Sequence, residues 1–210
     1  MRLLITDDHA VVRQGLKEIL ASKFPQASFG EAETAQQALD RVQEVKWDVV
    51  LLDITMPGRS GLDVLKDLKA ARPEMRILIW TMHPEEQFAV QALKAGADGY
   101  LTKRFAADEV VNAINRLLAG GKYVSPSLAE KLATAIQIGA EHPLHEKLST
   151  REFEVLRMVA GGKSAKEIAA ELGVSAQTVS TYRSRIFAKM RLRTNAELTQ
   201  YAVAQGLVAR

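Results

Sequence analysis

Five times in the first 120 residues, a short apolar run is followed by a longer stretch with helical periodicity. Such alternation is typical of a parallel sheet whose strands are joined by crossover helices. We therefore predict an α/β domain built on a doubly wound, five-stranded parallel sheet. The expected strands are residues 3–6, 28–32, 49–52, 77–81 and 99–101, and the expected helices are residues 11–24, 35–45, 62–71, 85–95 and 108–119.

Polar side chains stand at the ends of four of these strands. Asp7 and Asp8 follow the first, Asp53 follows the third, Thr81 ends the fourth and Lys103 follows the fifth. Ligands of a doubly wound sheet bind at the carboxyl ends of its strands, so these five side chains should converge. Three carboxylates at close quarters repel one another unless a divalent cation lies among them, and oxygen ligands favour Mg²⁺. A carboxylate beside Mg²⁺ can attack a phosphoryl group, whose oxygens suit Lys103 and the Thr81 hydroxyl.

The remainder of the chain is helical in pattern. Residues 121–147 hold Pro126, Pro143 and one apolar helical stretch, which predicts a linker containing a helix. From Ser149 a capping box with Glu152 opens a small all-α segment. The expected domains are thus residues 1–120 and 148–210, joined by a linker at 121–147.

The charge is divided unevenly between these segments. Residues 1–120 carry 15 Lys and Arg against 17 Asp and Glu, whereas residues 149–210 carry 10 against 5. No acidic residue lies between Glu171 and Glu197. The basic C-terminal segment is therefore expected to bind a polyanion.

Residues 164–186 fit two helices joined by a tight turn, a helix-turn-helix. Gly173 allows the turn and Ser175 can cap the second helix. The outer surface of that helix is polar, and a helix of this kind in the major groove of double-stranded DNA reaches phosphates and base edges. The candidate DNA contacts are Ser180, Thr181, Arg183, Ser184 and Arg185.

Residues 1–120 resemble the receiver domain of bacterial two-component response regulators, which has a flavodoxin-like fold. The matching motifs are Asp7-Asp8, Asp53-Ile-Thr-Met-Pro57 with Gly61 behind it, Thr81, and Gly99-Tyr100-Leu-Thr-Lys103. The resemblance implies that Asp53 accepts phosphate from a sensor histidine kinase. It also implies that Asp8, Asp53 and the backbone carbonyl of Thr55 ligate Mg²⁺, with Asp7 acting partly through water, and that Thr81 and Tyr100 relay the switch.

Four further positions bear on this resemblance. Arg104 and Met82 depart from residues that the family often has there, which bears on phosphate access. Thr55 and His83 lie two residues after Asp53 and Thr81, and the resemblance implies that such positions influence how fast phosphate is lost.

Residues 148–208 resemble the LuxR-type helix-turn-helix domain. The match rests on Leu148-Ser-Thr-Arg-Glu152, Lys166-Glu-Ile-Ala169, Ser175, Thr178-Val179 and Lys189. It adds Ser175, Thr178 and Lys189 to the candidate DNA contacts. With a receiver in front, the chain resembles a NarL/FixJ-type response regulator, which implies transcriptional control, a homodimer when phosphorylated, and dimer contacts through the last helix.

Two other functions remain open at this point. Phosphatases of the haloacid dehalogenase type also use a strand-end Asp with Mg²⁺, but they need a second Asp where this chain has Thr55. A binding module that is never phosphorylated would not need three acidic residues. We therefore expect a regulator and not an enzyme.

The sequence also bears on location. It contains no cysteine, so a reducing cytoplasm is the simplest assignment. The apolar run at the N-terminus is too short for a signal peptide or a membrane span. A cytoplasmic protein without a membrane partner is expected.

Overall fold

The computed structural model describes residues 1–56, 59–104, 107–138 and 143–208. The chain forms two compact units, Met1–Ala140 and Glu141–Arg210, and each is described by itself. Among the described residues, no helix is both long enough and apolar enough to cross a bilayer.

The first unit is built on a five-stranded sheet in the order β2-β1-β3-β4-β5, and every pair of neighbours is parallel. The strands are β1 Arg2–Thr6, β2 Ser28–Ala32, β3 Val49–Leu52, β4 Arg76–Thr81 and β5 Gly99–Thr102. The helices between and after them are α1 Ala10–Lys23, α2 Ala35–Glu44, α3 Gly61–Ala71, α4 Glu85–Lys94 and α5 Ala107–Leu118. The predicted doubly wound sheet is confirmed, with element bounds within one residue of those expected.

The strand register brings the carboxyl ends of the strands together. Thr6 pairs with Leu52, so Asp7 and Asp53 leave neighbouring strands at the same level. Leu52 pairs with Ile79, so β4 runs two residues further and ends at Thr81. All four residues of β3 are buried, as a central strand covered on both faces requires.

One hydrophobic core of this unit lies between the sheet and helices α1 and α5. Apolar side chains along one face of each helix pack on alternate residues of the strands. The fully or nearly fully buried members are Leu3, Ile5, Leu16, Leu20, Val49, Leu51, Leu78, Trp80, Leu101, Val110, Ala113, Ile114, Leu117 and Tyr123.

Gly61 fixes where α3 starts relative to the end of β3. A Cβ at this position would lie 2.2 Å from the carbonyl oxygen of Asp53 and 2.6 Å from Cα of Ile54. The Gly61 amide donates to the Ile54 carbonyl over 2.9 Å. A side chain would therefore push α3 away and disturb the backbone that carries Asp53.

Residues 121–138 belong to the first unit. Tyr123 forms a parallel bridge with Gly99, and helix α6 (Pro126–Ile138) follows. Leu128 of this helix is buried. These residues fall in the segment expected to be a linker, and in the structure the first unit extends beyond them to Ala140.

The second unit is helical. A short 3-10 helix at Leu144–Lys147 precedes α7 Thr150–Ala160, α8 Ala165–Leu172, α9 Ala176–Met190 and α10 Asn195–Ala204. The predicted capping box of Ser149 and Glu152 is present, and Ser164 with Glu167 forms a second one at α8. Gly173 ends α8 in the left-handed region at φ +65°, and the side chain of Ser175 caps α9, as predicted.

Candidate functional site

Three of the five predicted side chains meet in a buried cluster at the carboxyl ends of the strands. The ammonium of Lys103 lies 2.5 Å from Asp7 Oδ2 and 2.5 Å from Asp53 Oδ2. Thr81 is fully buried, and its carbonyl accepts from the Lys103 amide over 2.8 Å. Asp8, at the rim, is the fifth; its side chain is 26% exposed. We call Asp7, Asp8, Asp53, Thr81 and Lys103 the acidic pocket.

Lys103 is the counter-ion of this pocket. Burial lowers the pKa of its ammonium, but the charge of Asp53 and hydrogen bonds to Asp53 and Asp7 raise it more, so the net shift is upward. The ammonium also lies 5.1 Å from the centroid of the Trp80 ring, a cation–π distance. Lys103 therefore stays charged at neutral pH.

The pocket has oxygen atoms that suit a hard divalent cation. Asp8 Oδ1 is shielded from solvent and makes no hydrogen bond within the described part of the chain, although His9 Nδ1 lies 2.8 Å away. Asp7, Asp8 and His9 each place one ligand atom within 4.8 Å of the others. Two of these three groups are carboxylates, whose oxygens Mg²⁺ prefers, so the pair Asp7 and Asp8 fits the cation expected from the sequence.

The residue two positions after Asp53 contacts the residue two positions after Thr81. The Thr55 amide donates to Asp53 Oδ1 over 3.0 Å, and Thr55 Oγ1 lies 2.8 Å from His83 Nε2. Each position could be singled out in the sequence, but their direct contact could not. Any group bound at Asp53 Oδ1 would lie close to this pair.

Tyr100 is completely buried and is connected to the loop after β4. Its hydroxyl donates to the carbonyl of His83 over 3.1 Å. The His83 amide, in turn, lies 3.5 Å from Thr81 Oγ1. The two residues expected to relay a switch are thus linked through His83.

Arg13 is a site residue that sequence reasoning missed. Its buried guanidinium donates to the carbonyl of Asp7 over 2.7 Å and pairs with Glu31 at 3.0 Å and Glu33 at 2.8 Å. An arginine in the first turn of an amphipathic helix gives no sign in the sequence that it is buried. Arg13 ties the loop that carries Asp7 and Asp8 to the end of β2.

Met82 and Arg104 directly follow the pocket residues Thr81 and Lys103 in the sequence. Met82 and Arg104 are exposed, and Pro57 of the Asp53 motif lies outside the described residues. The two residues that differ from those the family often has, Met82 and Arg104, therefore lie on the surface.

In the second unit, α9 presents a polar outer surface. Ser180, Thr181, Ser184 and Arg185 are all exposed. Two of these hydroxyls bond to their own helix, Thr181 to the Gln177 carbonyl and Ser184 to the Ser180 carbonyl, each over 3.1 Å. Arg185 makes no such contact among the described residues and extends from the helix.

Four other candidates for DNA contact have partners within the unit. Ser175 caps α9 by accepting from the Thr178 amide, and the two hydroxyls lie 2.8 Å apart. Lys189 pairs with the buried Glu152 over 2.6 Å. Arg183 donates to Asn195 Oδ1 of α10 over 3.0 Å. These contacts fix the start of α9 and its packing against α7 and α10.

Comparisons with known proteins cover both units. The family model described as "Response regulator receiver domain" matches residues 3–115, and "Bacterial regulatory proteins, luxR family" matches residues 146–202. The response regulator GacA of Pseudomonas protegens is 37% identical over 209 residues, 99% of this chain and 98% of that protein. The response regulator UvrY of Escherichia coli K12 is 33% identical over 208 residues, 99% of this chain and 95% of that protein.

A solved structure is also similar over nearly the whole chain. It is RcsB from Salmonella enterica serovar Typhimurium, bound to a promoter in the presence of the phosphomimetic BeF3⁻. It shares 26% identity, covers 96% of this chain and 97% of its own, and gives a TM-score of 0.59. The two family models match in the order receiver domain then LuxR-type domain, and the relatives align over nearly the whole chain; together these matches identify the family. The chain belongs to the NarL/FixJ family of two-component response regulators, which join a receiver domain to a LuxR-type helix-turn-helix domain.

Proposed function

We propose that this protein is a transcription regulator that a sensor histidine kinase switches by phosphorylating Asp53. The observation that carries the proposal is the environment of that carboxylate. Asp53 is 3% exposed, one of its oxygens accepts from Lys103, and the other accepts from the Thr55 amide. A buried carboxylate held in this way, with two further carboxylates beside it, is positioned to accept a phosphoryl group.

The chemistry requires mainly positioning and charge neutralisation. An Asp53 oxygen forms a bond to phosphorus as the phosphorus–nitrogen bond of a phosphohistidine breaks, and the histidine leaves with the electron pair. Lys103 moves from the carboxylates to the new phosphoryl oxygens, and the Thr81 hydroxyl donates to one of them. The residues that would hold Mg²⁺ are Asp8, Asp53 and the Thr55 carbonyl, with Asp7 acting through water, and the cation would supply positive charge to those oxygens.

The second unit is proposed to bind promoter DNA with α9 in the major groove. The net positive charge of residues 149–210 and the exposed side chains of Ser180, Thr181, Ser184 and Arg185 support this. A solved relative, RcsB, is bound to a promoter. Because Lys189 and Arg183 already have protein partners, Arg185 is the strongest candidate for a phosphate contact.

Phosphorylation is proposed to act by exposing the second unit and promoting a homodimer. The receiver segment has more acidic than basic residues and the helix-turn-helix segment the reverse, so the two attract each other weakly. Two recognition helices on a two-fold site gain affinity by linkage, and the helix at 195–205 is the proposed dimer contact. Since the proposed partner is promoter DNA, we place the protein in the cytoplasm.

Incubation with a small phosphodonor and Mg²⁺ tests the proposal, with Asp53→Asn as the matched control. One stable phosphoryl group per chain, absent from the control, is expected by mass spectrometry. Continuous release of phosphate would instead indicate a phosphatase, and no labelling at all would indicate a binding module. We expect the phosphoryl group to be retained because position 55 is Thr and not Asp, so no general acid lies two residues after Asp53.

A further inference from the structure

The starting point is a buried carboxylate that the acidic pocket does not use. Glu85, the first residue of α4, is 7% exposed. It accepts from Ser125 Oγ over 2.5 Å and from Ser127 Oγ over 3.4 Å. The two serine hydroxyls are 3.0 Å apart. We call Glu85, Ser125 and Ser127 the latch.

The latch joins α4 to the start of α6. Ser125 Oγ also accepts from the Leu128 amide over 3.2 Å, so the serine that binds Glu85 caps α6. The Glu85 carboxylate therefore lies at the amino ends of two helices, where the helix dipole favours negative charge. Helix α6 is held on the first unit by this charged group as well as by the burial of Leu128.

The latch is incomplete, which makes it suited to opening. Glu85 Oε1 is shielded from solvent and makes no hydrogen bond among the residues that the structure describes. A buried acceptor without a hydrogen-bond partner is destabilising, and opening the latch would let water bond to it. This desolvation penalty offsets part of the free energy that the Glu85–Ser125 and Glu85–Ser127 hydrogen bonds contribute to the closed latch.

Two routes connect the latch to the residues expected to relay a switch. Glu85 follows His83 by two residues, and the His83 carbonyl accepts from the Tyr100 hydroxyl. On the other side, the Tyr100 amide donates to the Tyr123 carbonyl over 3.1 Å, two residues before Ser125. The short segment 123–125 is thus bonded at one end to Tyr100 and at the other end to Glu85, which lies two residues after His83.

We infer that Glu85 couples the acidic pocket to residues 123–138, the segment from which the chain continues into the second unit. The inference rests on the proposed function. In the unphosphorylated protein the latch holds this segment on α4. Movement of Thr81 and Tyr100 toward a phosphoryl group withdraws the His83–Glu85 stretch, so the hydrogen bonds to Ser125 and Ser127 break and the segment is released.

Thermodynamic reciprocity makes the inference testable. If phosphorylation opens the latch, then breaking the latch by mutation must favour the phosphorylated state by the same factor. Ser125→Ala removes the strongest contact, and Ser127→Ala removes the weaker one. Glu85→Gln keeps the size of the side chain but removes its charge, so it serves as a second variant should Ser125→Ala fail to fold. Ser22→Ala, which removes a hydroxyl bonded to a carbonyl of α1, is the matched control.

The experiment titrates BeF3⁻, in the presence of Mg²⁺, into the full-length proteins. Tryptophan fluorescence reports binding, because Trp80 lies beside Lys103. Ser125→Ala should bind BeF3⁻ about tenfold more tightly than wild type, a typical size for allosteric coupling. Glu85→Gln and Ser127→Ala should shift in the same direction by less, and Ser22→Ala should not shift.

Hydrogen exchange of residues 123–138 gives an independent measurement. BeF3⁻ should accelerate exchange there in wild type, and Ser125→Ala should exchange at that faster rate without BeF3⁻. The inference is overturned if folded Ser125→Ala and Glu85→Gln bind BeF3⁻ with the wild-type constant, or if exchange in wild type does not change. If wild type itself does not bind BeF3⁻, the proposed function fails, and the inference fails with it.

Discussion

Replacing Lys103 with alanine should destabilise the first unit strongly. The side chains of Lys103, Asp7 and Asp53 are 6%, 0% and 3% exposed, so the two ion pairs are almost fully buried. Two oxygens that each lie 2.5 Å from Nζ are at most about 5 Å apart, so removing the ammonium leaves two like charges close together. Breaking a buried ion pair from one side costs about 3–5 kcal/mol.

Mg²⁺ should reverse much of this loss. A loss of about 3–5 kcal/mol lowers the Tm of a unit of this size by roughly 10–20 °C. Mg²⁺ replaces the missing positive charge, and at a hundredfold excess over its Kd it restores about 2.7 kcal/mol. In wild type the cation competes with Lys103 for the oxygens of Asp7 and Asp53, so its stabilising effect is smaller there.

Thermal unfolding followed by tryptophan fluorescence measures this directly, because both tryptophans, Trp47 and Trp80, belong to the first unit. Wild type, Lys103→Ala and Lys23→Ala are compared with and without Mg²⁺. Lys23 forms an exposed pair with Asp108 at 3.1 Å, which contributes about 0–1 kcal/mol. Equal Mg²⁺ stabilisation of wild type and Lys103→Ala, or a loss no greater than that of Lys23→Ala, would refute the reasoning.

Four further predictions concern signalling. Asp53→Asn should abolish labelling by a phosphodonor, since an amide is a poor nucleophile and a weaker Mg²⁺ ligand; undiminished labelling would contradict the assignment. Lys103→Ala should still accept some phosphate but lose the resulting rise in DNA affinity, and a response equal to wild type would show that the relay is misassigned. Arg185→Ala should weaken binding to all DNA sequences alike and lower the salt slope by about one unit, whereas unchanged affinity and slope would remove it from the interface. Isolated residues 145–210 should bind DNA without phosphorylation, while the whole chain should bind poorly until phosphorylated and then sediment as a dimer. Equal affinity of the unphosphorylated chain would exclude occlusion, and a phosphorylated monomer on a two-fold site would exclude dimerisation.

The sequence by itself determined the elements and the place of the pocket. Strand and helix bounds followed from periodicity and capping residues, which act within a few positions of one another. The convergence of Asp7, Asp53, Thr81 and Lys103 followed from one geometric rule, that parallel strands bring their carboxyl ends to the same edge. The caps at Ser149 and Ser175 and the left-handed turn at Gly173 were local enough to be predicted.

Only the tertiary structure decided which polar groups are partners. Arg13 and Glu85 look like ordinary surface residues in the sequence, yet both are buried and bonded to residues 18 to 42 positions away. The pairing of Lys189 with Glu152 likewise joins two helices, α7 and α9, and gives a candidate DNA contact a structural partner. Such contacts depend on strand register and helix packing, to which residues throughout the chain contribute, so no short stretch of sequence specifies them.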